Sequence, residues 1–167
     1  MFRTLDHLNG AITVRIRRIL FNLAKKSDIS FITPNIGIGG VCNLEILFHG
    51  NVHAILDLRS EKGDNLIQIQ KFSIDYMRIK IPDRGIPDEK DIVSAIKWIQ
   101  NKIREDKKIF IHCNLGRGRA PMIACLYLIS QGNDPYETIA YVKKLRKYTY
   151  FNNRQLNYII KFGNNKF

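Results

Sequence analysis

The chain has 167 residues, of which 45% are hydrophobic, and this predicts one globular domain with an ordinary core. Its 27 Lys and Arg against 15 Asp and Glu give a formal net charge of +12, so we expect an anionic partner. Three cysteines without framework spacing predict a reducing, cytoplasmic location rather than a disulfide scaffold, and the longest apolar run, at residues 120–129, is too short to span a bilayer.

Residues 5–26 carry the first predicted element, a basic amphipathic helix. Its apolar side chains recur at helical spacing, and its basic ones fall largely on the other side; the apolar set is Leu5, Leu8, Ile12, Ile16, Ile19 and Leu23. Such a helix either packs on the domain or makes a peripheral contact with an anionic membrane. Because the segment is rich in arginine and poor in acids, organelle targeting stays open. We predict a unit at residues 1–28 and the main domain at residues 29–167.

The main domain alternates predicted strands and helices. Strands are predicted at residues 31–38, 52–58, 76–81 and 108–112, and helices at 88–104, from Pro135 to about residue 147, and at about 153–161. Asp134 and Glu137 form a capping box at the start of the second helix. This alternation predicts a single α/β domain, in which a central, mainly parallel sheet of about four to five strands has helices on both faces.

The most specific motif is His-Cys-Asn-Leu-Gly-Arg-Gly-Arg-Ala-Pro at residues 112–121, which lies between two apolar runs. The pattern predicts a strand, a tight loop and a helix. Gly116 and Gly118 allow positive φ and close backbone approach, so the loop amides can curl around a phosphate at the helix N-terminus. Pro121 suits the first turn of that helix. The motif therefore predicts a phosphate-binding loop between the last core strand and a helix.

Two side chains of this loop are predicted to take part in chemistry. The positive field of the loop and the helix stabilises a thiolate, so Cys113 is the predicted nucleophile. Arg119 offers a planar fork of donors to a phosphate and to the transition state. The predicted substrate-binding residues are Asn114, Leu115, Gly116, Arg117, Gly118 and Arg119. Because amides and arginine supply the positive charge, we expect no metal and no cofactor.

The pattern His-Cys-x-x-Gly-x-x-Arg at residues 112–119 resembles the signature loop of the cysteine-based phosphatases, in their dual-specificity branch. Weaker matches resemble the branch of the mitochondrial phosphatidylglycerophosphate phosphatase; they are Gly85-Ile86-Pro87, Asp134-Pro135, residues 145–148 and Gln155-Leu156. Together, the resemblance covers roughly residues 30–163. It implies hydrolysis of a phosphomonoester through a phosphocysteine intermediate.

The resemblance also implies a general acid, because a departing alkoxide or phenoxide needs a proton. In the family, an aspartate on a loop between a strand and a helix has this role, and residues 81–88 form such a loop here. We therefore assign the general acid to Asp83 and interpret Asp88 as a helix N-cap. His112 is interpreted as ordering the loop through hydrogen bonds.

One position departs from the family pattern. The residue after the signature arginine is usually serine or threonine, whose hydroxyl stabilises the cysteine thiolate when phosphocysteine is hydrolysed. Here the residue is Ala120. The departure predicts slow release of phosphate, while phosphate binding and attack by Cys113 are unaffected.

The predicted function is that of a protein phosphatase acting on phosphotyrosine, with phosphoserine and phosphothreonine as further substrates. Two alternatives stay open. One is a phospholipid phosphatase for phosphatidylglycerophosphate or a phosphoinositide-like substrate, which the positive charge favours. The other is a phosphate-dependent binding module with slow turnover, suggested by Ala120. The expected partner is a phosphorylated protein or an anionic phospholipid; nucleic acid is not the expected partner, although RNA 5′-triphosphatases share this signature.

Overall fold

A five-stranded sheet is the centre of the computed structural model, which describes residues 10–17, 19–20 and 28–164. The strands are β1 (Ile29–Thr33), β2 (Ile36–Gly39), β3 (Ala54–Arg59), β4 (Asp75–Ile81) and β5 (Ile109–His112). They lie in the order β1-β2-β5-β3-β4. The pairs β2–β5, β5–β3 and β3–β4 are parallel, and β1 adds to the edge in antiparallel register. The predicted α/β fold with a mainly parallel sheet is confirmed.

Besides the helical residues near the N-terminus, the described part has six helices around this sheet: α1 (Leu44–His49), α2 (Leu66–Lys71), α3 (Glu89–Arg104), α4 (Arg119–Ser130), α5 (Pro135–Leu145) and α6 (Asn153–Asn164). Alternate side chains of a strand point to opposite faces. On β3, Ile55 therefore packs with Phe110 against α1 and α2, while Leu56 belongs to the core beneath α3 and α4. Helices thus cover both faces, as predicted.

The longer helices, α3 to α6, form where the sequence pattern predicts them. On α3, Ile92 and Ile99 are buried at helical spacing, because that side of the helix covers the sheet. The carboxylate of Asp134 accepts hydrogen bonds from the first free amides of α5, at Tyr136 and Glu137. Asp88 occupies the N-cap position of α3, but its side chain makes no capping hydrogen bond.

The structure differs from the predicted elements in the first half of the chain. The strand predicted at residues 31–38 is a hairpin of β1 and β2, since Pro34 and Asn35 turn the chain and the Thr33 hydroxyl accepts from the Ile36 amide at 3.0 Å. The short helices α1 and α2 have too few turns for a clear helical period, so they escaped prediction. Helix α5 ends before residue 147, and α6 continues beyond residue 161.

The predicted N-terminal amphipathic helix is described only in part. Residues 10–17 and 19–20 are helical, whereas residues 1–9, 18 and 21–27 lie outside the described part of the chain. Three members of the predicted apolar side, Ile12, Ile16 and Ile19, are 53%, 53% and 58% exposed, and the side chain that packs inward is Val14. These three described side chains therefore face solvent rather than the core. The division of the chain at residue 28 stays a prediction.

The phosphate-binding loop follows β5, a central strand, so it lies at the carboxyl end of the sheet. Gly116 has φ +64°, and a Cβ there would lie 2.2 Å from the carbonyl carbon of Gly39 at the end of β2. Only glycine fits this combination of backbone angle and close approach. Gly118 has φ −122°, so the predicted positive φ holds at Gly116 and not at Gly118.

We expect Gly116→Ala to lower the free energy of unfolding by about 2–5 kcal/mol, because it adds left-handed strain to overpacking against β2. Urea denaturation followed by circular dichroism measures this loss. Gly132→Ala is the matched control: Gly132 also has positive φ, but no atom lies within 4 Å of the added Cβ. Equal losses in the two variants would contradict a role for the contact with Gly39.

Candidate active site

A pocket at the carboxyl end of β5 brings together the three predicted catalytic side chains, Cys113, Arg119 and Asp83. Cys113 follows directly on β5 and is only 3% exposed. Arg119 is the first residue of α4, and its side chain is 2% exposed. Asp83 comes from the loop after β4, and its side chain is 74% exposed. The pocket therefore has a thiol and a guanidinium inside and a carboxylate at the rim.

Most of the predicted substrate-binding residues line this pocket as well; they are Asn114, Leu115, Arg117, Gly118 and Arg119. Gly116 does not line it. Its carbonyl oxygen instead accepts a hydrogen bond of 2.6 Å from Nε of Arg146, which is buried and paired with Asp28. Arg146 therefore supports the loop from behind, a role that the sequence motif alone does not show.

The guanidinium of Arg119 connects several segments. Its Nη1 and Nη2 donate to the two carboxylate oxygens of Glu61, each at 2.8 Å, and Nη1 also donates to the Ile81 carbonyl at 3.0 Å. Nη2 lies 3.1 Å from Oδ1 of Asp83. Burial lowers the pKa of Arg119, but hydrogen bonds to Glu61 and the negative charges nearby raise it overall.

Among the described residues, Nε of Arg119 has no hydrogen-bond partner, in contrast to its Nη1 and Nη2. An arginine can present Nε and one Nη as a bidentate edge to two phosphate oxygens. Glu61 holds the edge formed by Nη1 and Nη2 and thereby fixes the plane of the guanidinium. Glu61 is thus a positioning residue that sequence reasoning missed, because it belongs to a loop without a motif.

The structure distinguishes the two candidate acids. Asp83 lines the pocket of Cys113, whereas Asp88 lies at the start of α3 in a different depression beside Tyr158. A general acid must lie within reach of the leaving oxygen. The geometry therefore favours Asp83, whose role in proton transfer stays a prediction.

The loop that carries Asp83 is attached to the start of α6. The side chain of Asn152 donates to the Arg84 carbonyl at 2.7 Å, and the buried side chain of Gln155 donates to the Gly85 carbonyl at 3.0 Å. Gln155 also lies against Gly118. These contacts therefore hold the loop that carries Asp83, called here the acid loop, next to the phosphate-binding loop. The resemblance at Gln155-Leu156 was the only sequence signal for this contact. It did not reveal that Gln155 binds the loop that carries Asp83.

A second ionic network lies behind the nucleophile. Nε2 of His112 lies 2.8 Å from Oδ2 of Asp64, and Arg59 bonds both Asp64 and the fully buried Asp57. Burial disfavours the Asp64 carboxylate, but hydrogen bonds with His112 and Arg59 outweigh it and lower its pKa. This arrangement agrees with the interpretation that His112 orders the loop through hydrogen bonds.

Asp57, Asp64 and His112 lie within 4.8 Å of one another, a spacing that could hold a metal ion. The guanidinium of Arg59, however, already bonds both carboxylates and supplies the compensating positive charge. The cluster is therefore explained as a structural network.

With the fold and the pocket defined as those of a cysteine-based phosphatase, sequence comparison identifies the family. The family described as "Dual specificity phosphatase, catalytic domain" matches residues 41–165. The chain belongs to this family.

Among curated proteins, the chain is similar to the probable protein tyrosine phosphatase type IVA A of Dictyostelium discoideum, with 28% identity over 100 residues. The match covers 59% of this chain and 60% of that protein. It is 31% identical to the mouse protein tyrosine phosphatase type IVA 2 over 83 residues, which cover 48% and 49% of the two chains. The chain thus spans about half the length of the curated relatives it matches.

Solved structures share the fold. The active form of Tk-PTP matches with a TM-score of 0.75 and 22% identity, covering 83% of this chain and 97% of the other. PTPMT1 in complex with PI(5)P matches with a TM-score of 0.73 and 16% identity, covering 83% and 96%. These likenesses agree with the α/β architecture described above.

We expect Asp83→Asn to lower kcat by about 10²–10⁴, the usual contribution of a general acid. The loss should be smaller for aryl phosphates with good leaving groups, because their departure needs less protonation. Steady-state kinetics over a leaving-group series measures it, with Asp88→Asn as the control at the start of α3. A harmless Asp83→Asn together with a crippling Asp88→Asn would mean that the acid is wrongly assigned.

The Arg119–Glu61 pair predicts a pH dependence of stability. Hydrogen bonds from Arg119 lower the pKa of Glu61 from 4.5 to about 2. Because the folded pKa is the lower one, this stabilisation is present above the unfolded value and is lost as pH falls from about 4.5 to about 2. Urea midpoints across this range should fall less steeply in Glu61→Gln than in the wild type.

The control for this measurement is Glu45→Gln, at an exposed position without an ion pair in the described part of the chain. Between pH 4.5 and 2, its urea midpoint should fall about as steeply as that of the wild type. The only difference expected is the small contribution of a carboxylate in the first turn of α1. An acid limb in Glu61→Gln as steep as that of the wild type would show that the pair contributes nothing to stability.

Proposed function

We propose that this protein is a cysteine-dependent phosphomonoester hydrolase whose first class of substrate is phosphotyrosine in proteins, with phosphoserine and phosphothreonine as further substrates. One observation carries the proposal: the pocket holds the thiol of Cys113, and the guanidinium of Arg119 lies 3.1 Å from the carboxylate of Asp83. These are the nucleophile, the phosphate clamp and the acid that the reaction needs. Family membership and relatives called protein tyrosine phosphatases support it.

The reaction has two steps. In the first, the thiolate of Cys113 attacks phosphorus in line; an S–P bond forms, the P–O bond to the leaving group breaks, and Asp83 protonates the departing oxygen. In the second, a water attacks phosphorus, its proton passes to the Asp83 carboxylate, and the S–P bond breaks to release phosphate and the thiolate. Loop amides and Arg119 hold the non-bridging oxygens throughout.

Cys113→Ser should reduce turnover of an aryl phosphate below detection, because a serine hydroxyl is a far weaker nucleophile at neutral pH. The loop amides are unchanged, so vanadate should still bind. Cys125→Ser is the matched control, since Cys125 is buried in α4 outside the pocket. Substantial phosphatase activity in pure Cys113→Ser protein would overturn the proposed mechanism.

The effect of Ala120 on turnover distinguishes an enzyme from a binding module with slow turnover. It is fully buried in the first turn of α4, where it offers no hydroxyl to the departing thiolate. Rapid quench with an aryl phosphate should show a burst of about one product per enzyme before a slow steady state. Ala120→Ser should raise kcat and leave the burst rate nearly unchanged. The absence of both effects would show that another group already stabilises the thiolate.

A second candidate function is the hydrolysis of an anionic phospholipid, with the N-terminal helix in peripheral contact with the membrane. The observation that favours it is a row of exposed apolar side chains beside the pocket: Ile12, Ile16, Ile19 and Leu20, called here the apolar ridge. Ala11 and Arg15 of the same helix line the pocket. An apolar ridge beside arginines suits an anionic bilayer surface. PTPMT1, which shares the fold, has been solved in complex with PI(5)P.

None of the helices in the part of the chain that the structure describes has the length and apolar character needed to cross a bilayer. Cys42, Cys113 and Cys125 are all unpaired, which supports a reducing, cytoplasmic location as a proposal.

The full chain should co-sediment with vesicles of phosphatidylglycerol and phosphatidylcholine more strongly than with phosphatidylcholine alone. Replacing Ile12 and Ile16 together by Asp should weaken binding at least about tenfold, because two apolar side chains leave the interface. Ile67→Asp is the control, since Ile67 is exposed on α2, away from the pocket. Equal binding by all of these proteins would contradict the membrane contact. A wild-type protein that forms a dimer and does not bind the vesicles would contradict it as well.

A further inference from the structure

The N-terminal helical segment forms one wall of the catalytic pocket. Ala11 and Arg15 line the pocket together with Cys113. Gly10 packs so closely on the phosphate-binding loop that a Cβ there would lie 2.5 Å from Nη2 of Arg117. The segment therefore belongs to the surroundings of the substrate, although the family match begins only at residue 41.

Two further contacts hold this segment against the domain. Nε of Arg17 lies 3.7 Å from the carboxylate of Asp28, and its guanidinium lies 5.9 Å from the ring centre of Tyr148. Val14 is buried beneath the helix. The contacts of Val14 and Arg17 thus fix the backbone on both sides of Arg15, whose side chain lines the pocket.

The pocket contains more positive charge than one phosphate needs. Four arginines line it, against the single carboxylate of Asp83; they are Arg15, Arg84, Arg117 and Arg119. Arg119 is held by Glu61 and, with the loop amides, meets the charge of one phosphoryl group. Among the described residues, neither Arg15 nor Arg84 has a carboxylate within 4 Å. Two cations at the rim are therefore available to another anionic group.

Arg84 reaches the pocket from a fixed position. Its φ of 60° places it in the left-handed region, and its carbonyl oxygen accepts a hydrogen bond of 2.7 Å from the side chain of Asn152. A non-glycine residue keeps this conformation only where its surroundings enforce it. The loop after β4 therefore brings both Asp83 and Arg84 to the pocket.

We propose that Arg15 and Arg84 form a second anion subsite, which binds the phosphodiester of a phospholipid substrate while Cys113 attacks its terminal phosphomonoester. This inference rests on the phosphomonoester hydrolysis proposed above, with the anionic phospholipid of the second candidate function as the substrate. A lipid phosphodiester is favoured over a second phosphate on a peptide, because the helix that carries Arg15 also exposes Ile12 and Ile16 to solvent.

The test measures binding of non-hydrolysable ligands to the full chain by isothermal calorimetry. Propylphosphonate carries one phosphonate. Trimethylene and hexamethylene bisphosphonates carry a second phosphonate, separated from the first by a short or a long linker. We expect the wild type to prefer at least one bisphosphonate about tenfold. Arg15→Gln and Arg84→Gln should each reduce this preference about 1.5-fold to fivefold, the range for a solvent-accessible charge contact.

Arg104→Gln is the control, because it removes the same charge from the distant end of α3. It should keep the wild-type preference. A preference that is absent in the wild type, or equal in the wild type, Arg15→Gln and Arg84→Gln, would overturn the subsite. Because phosphonates are not hydrolysed, the test does not depend on turnover. A wild type that shows the preference but hydrolyses no aryl phosphate would contradict the proposed function and leave the subsite standing.

The nature of the substrate is tested with the same variants. Arg15→Gln should lower kcat/KM for a short-chain phosphatidylglycerophosphate more than for an aryl phosphate, by a further factor of about 1.5 to 5. A doubly phosphorylated peptide is the competing substrate. A selective loss for the peptide and none for the lipid would overturn the assignment to a phospholipid.

Discussion

The buried charge of Arg119 is the constraint on which the site depends. A guanidinium that is 2% exposed must be compensated by its neighbours, since an unpaired charge in the interior is strongly destabilising. Glu61, after β3, and Asp83, after β4, provide that compensation, and the end of β4 adds the Ile81 carbonyl. The side chain of Arg119, at the start of α4, thereby positions the loops that follow β3 and β4. In the proposed mechanism, phosphate accepts from Nε of the same guanidinium, the nitrogen that has no hydrogen-bond partner among the described residues.

The phosphate-binding loop itself is held by contacts that do not touch substrate. Gly116 fits against β2 only because it lacks a Cβ, and Arg146 satisfies the Gly116 carbonyl that faces away from the pocket. On the other side, His112 is held by Asp64 through a network that includes Arg59. These contacts hold the loop backbone in place, and preorganised donors are the condition for strong electrostatic stabilisation of a transition state.

The sequence predicted the parts of the site that depend on local spacing. The phosphate-binding loop needs glycine, cysteine and arginine within a few residues, so its pattern is readable in one segment. Glu61 and Gln155 were missed, because they act through contacts between segments far apart in the chain. The hairpin of β1 and β2 was read as one strand, since both halves are apolar and Pro34 was the only strong break. Outward exposure of Ile12 and Ile16 also depends on tertiary packing, which periodicity does not reveal.

Covalent attack of Cys113 on phosphorus can be tested directly by trapping the S–P bond. Wild-type protein is mixed with an aryl phosphate, denatured at alkaline pH during turnover because the S–P bond is labile in mild acid, digested and mapped by mass spectrometry. We expect a phosphoryl group on the peptide that contains Cys113 and none on the peptides of Cys42 and Cys125. Product formation in a single turnover with phosphate on another residue, or with no phosphorylated cysteine at any time, would contradict it.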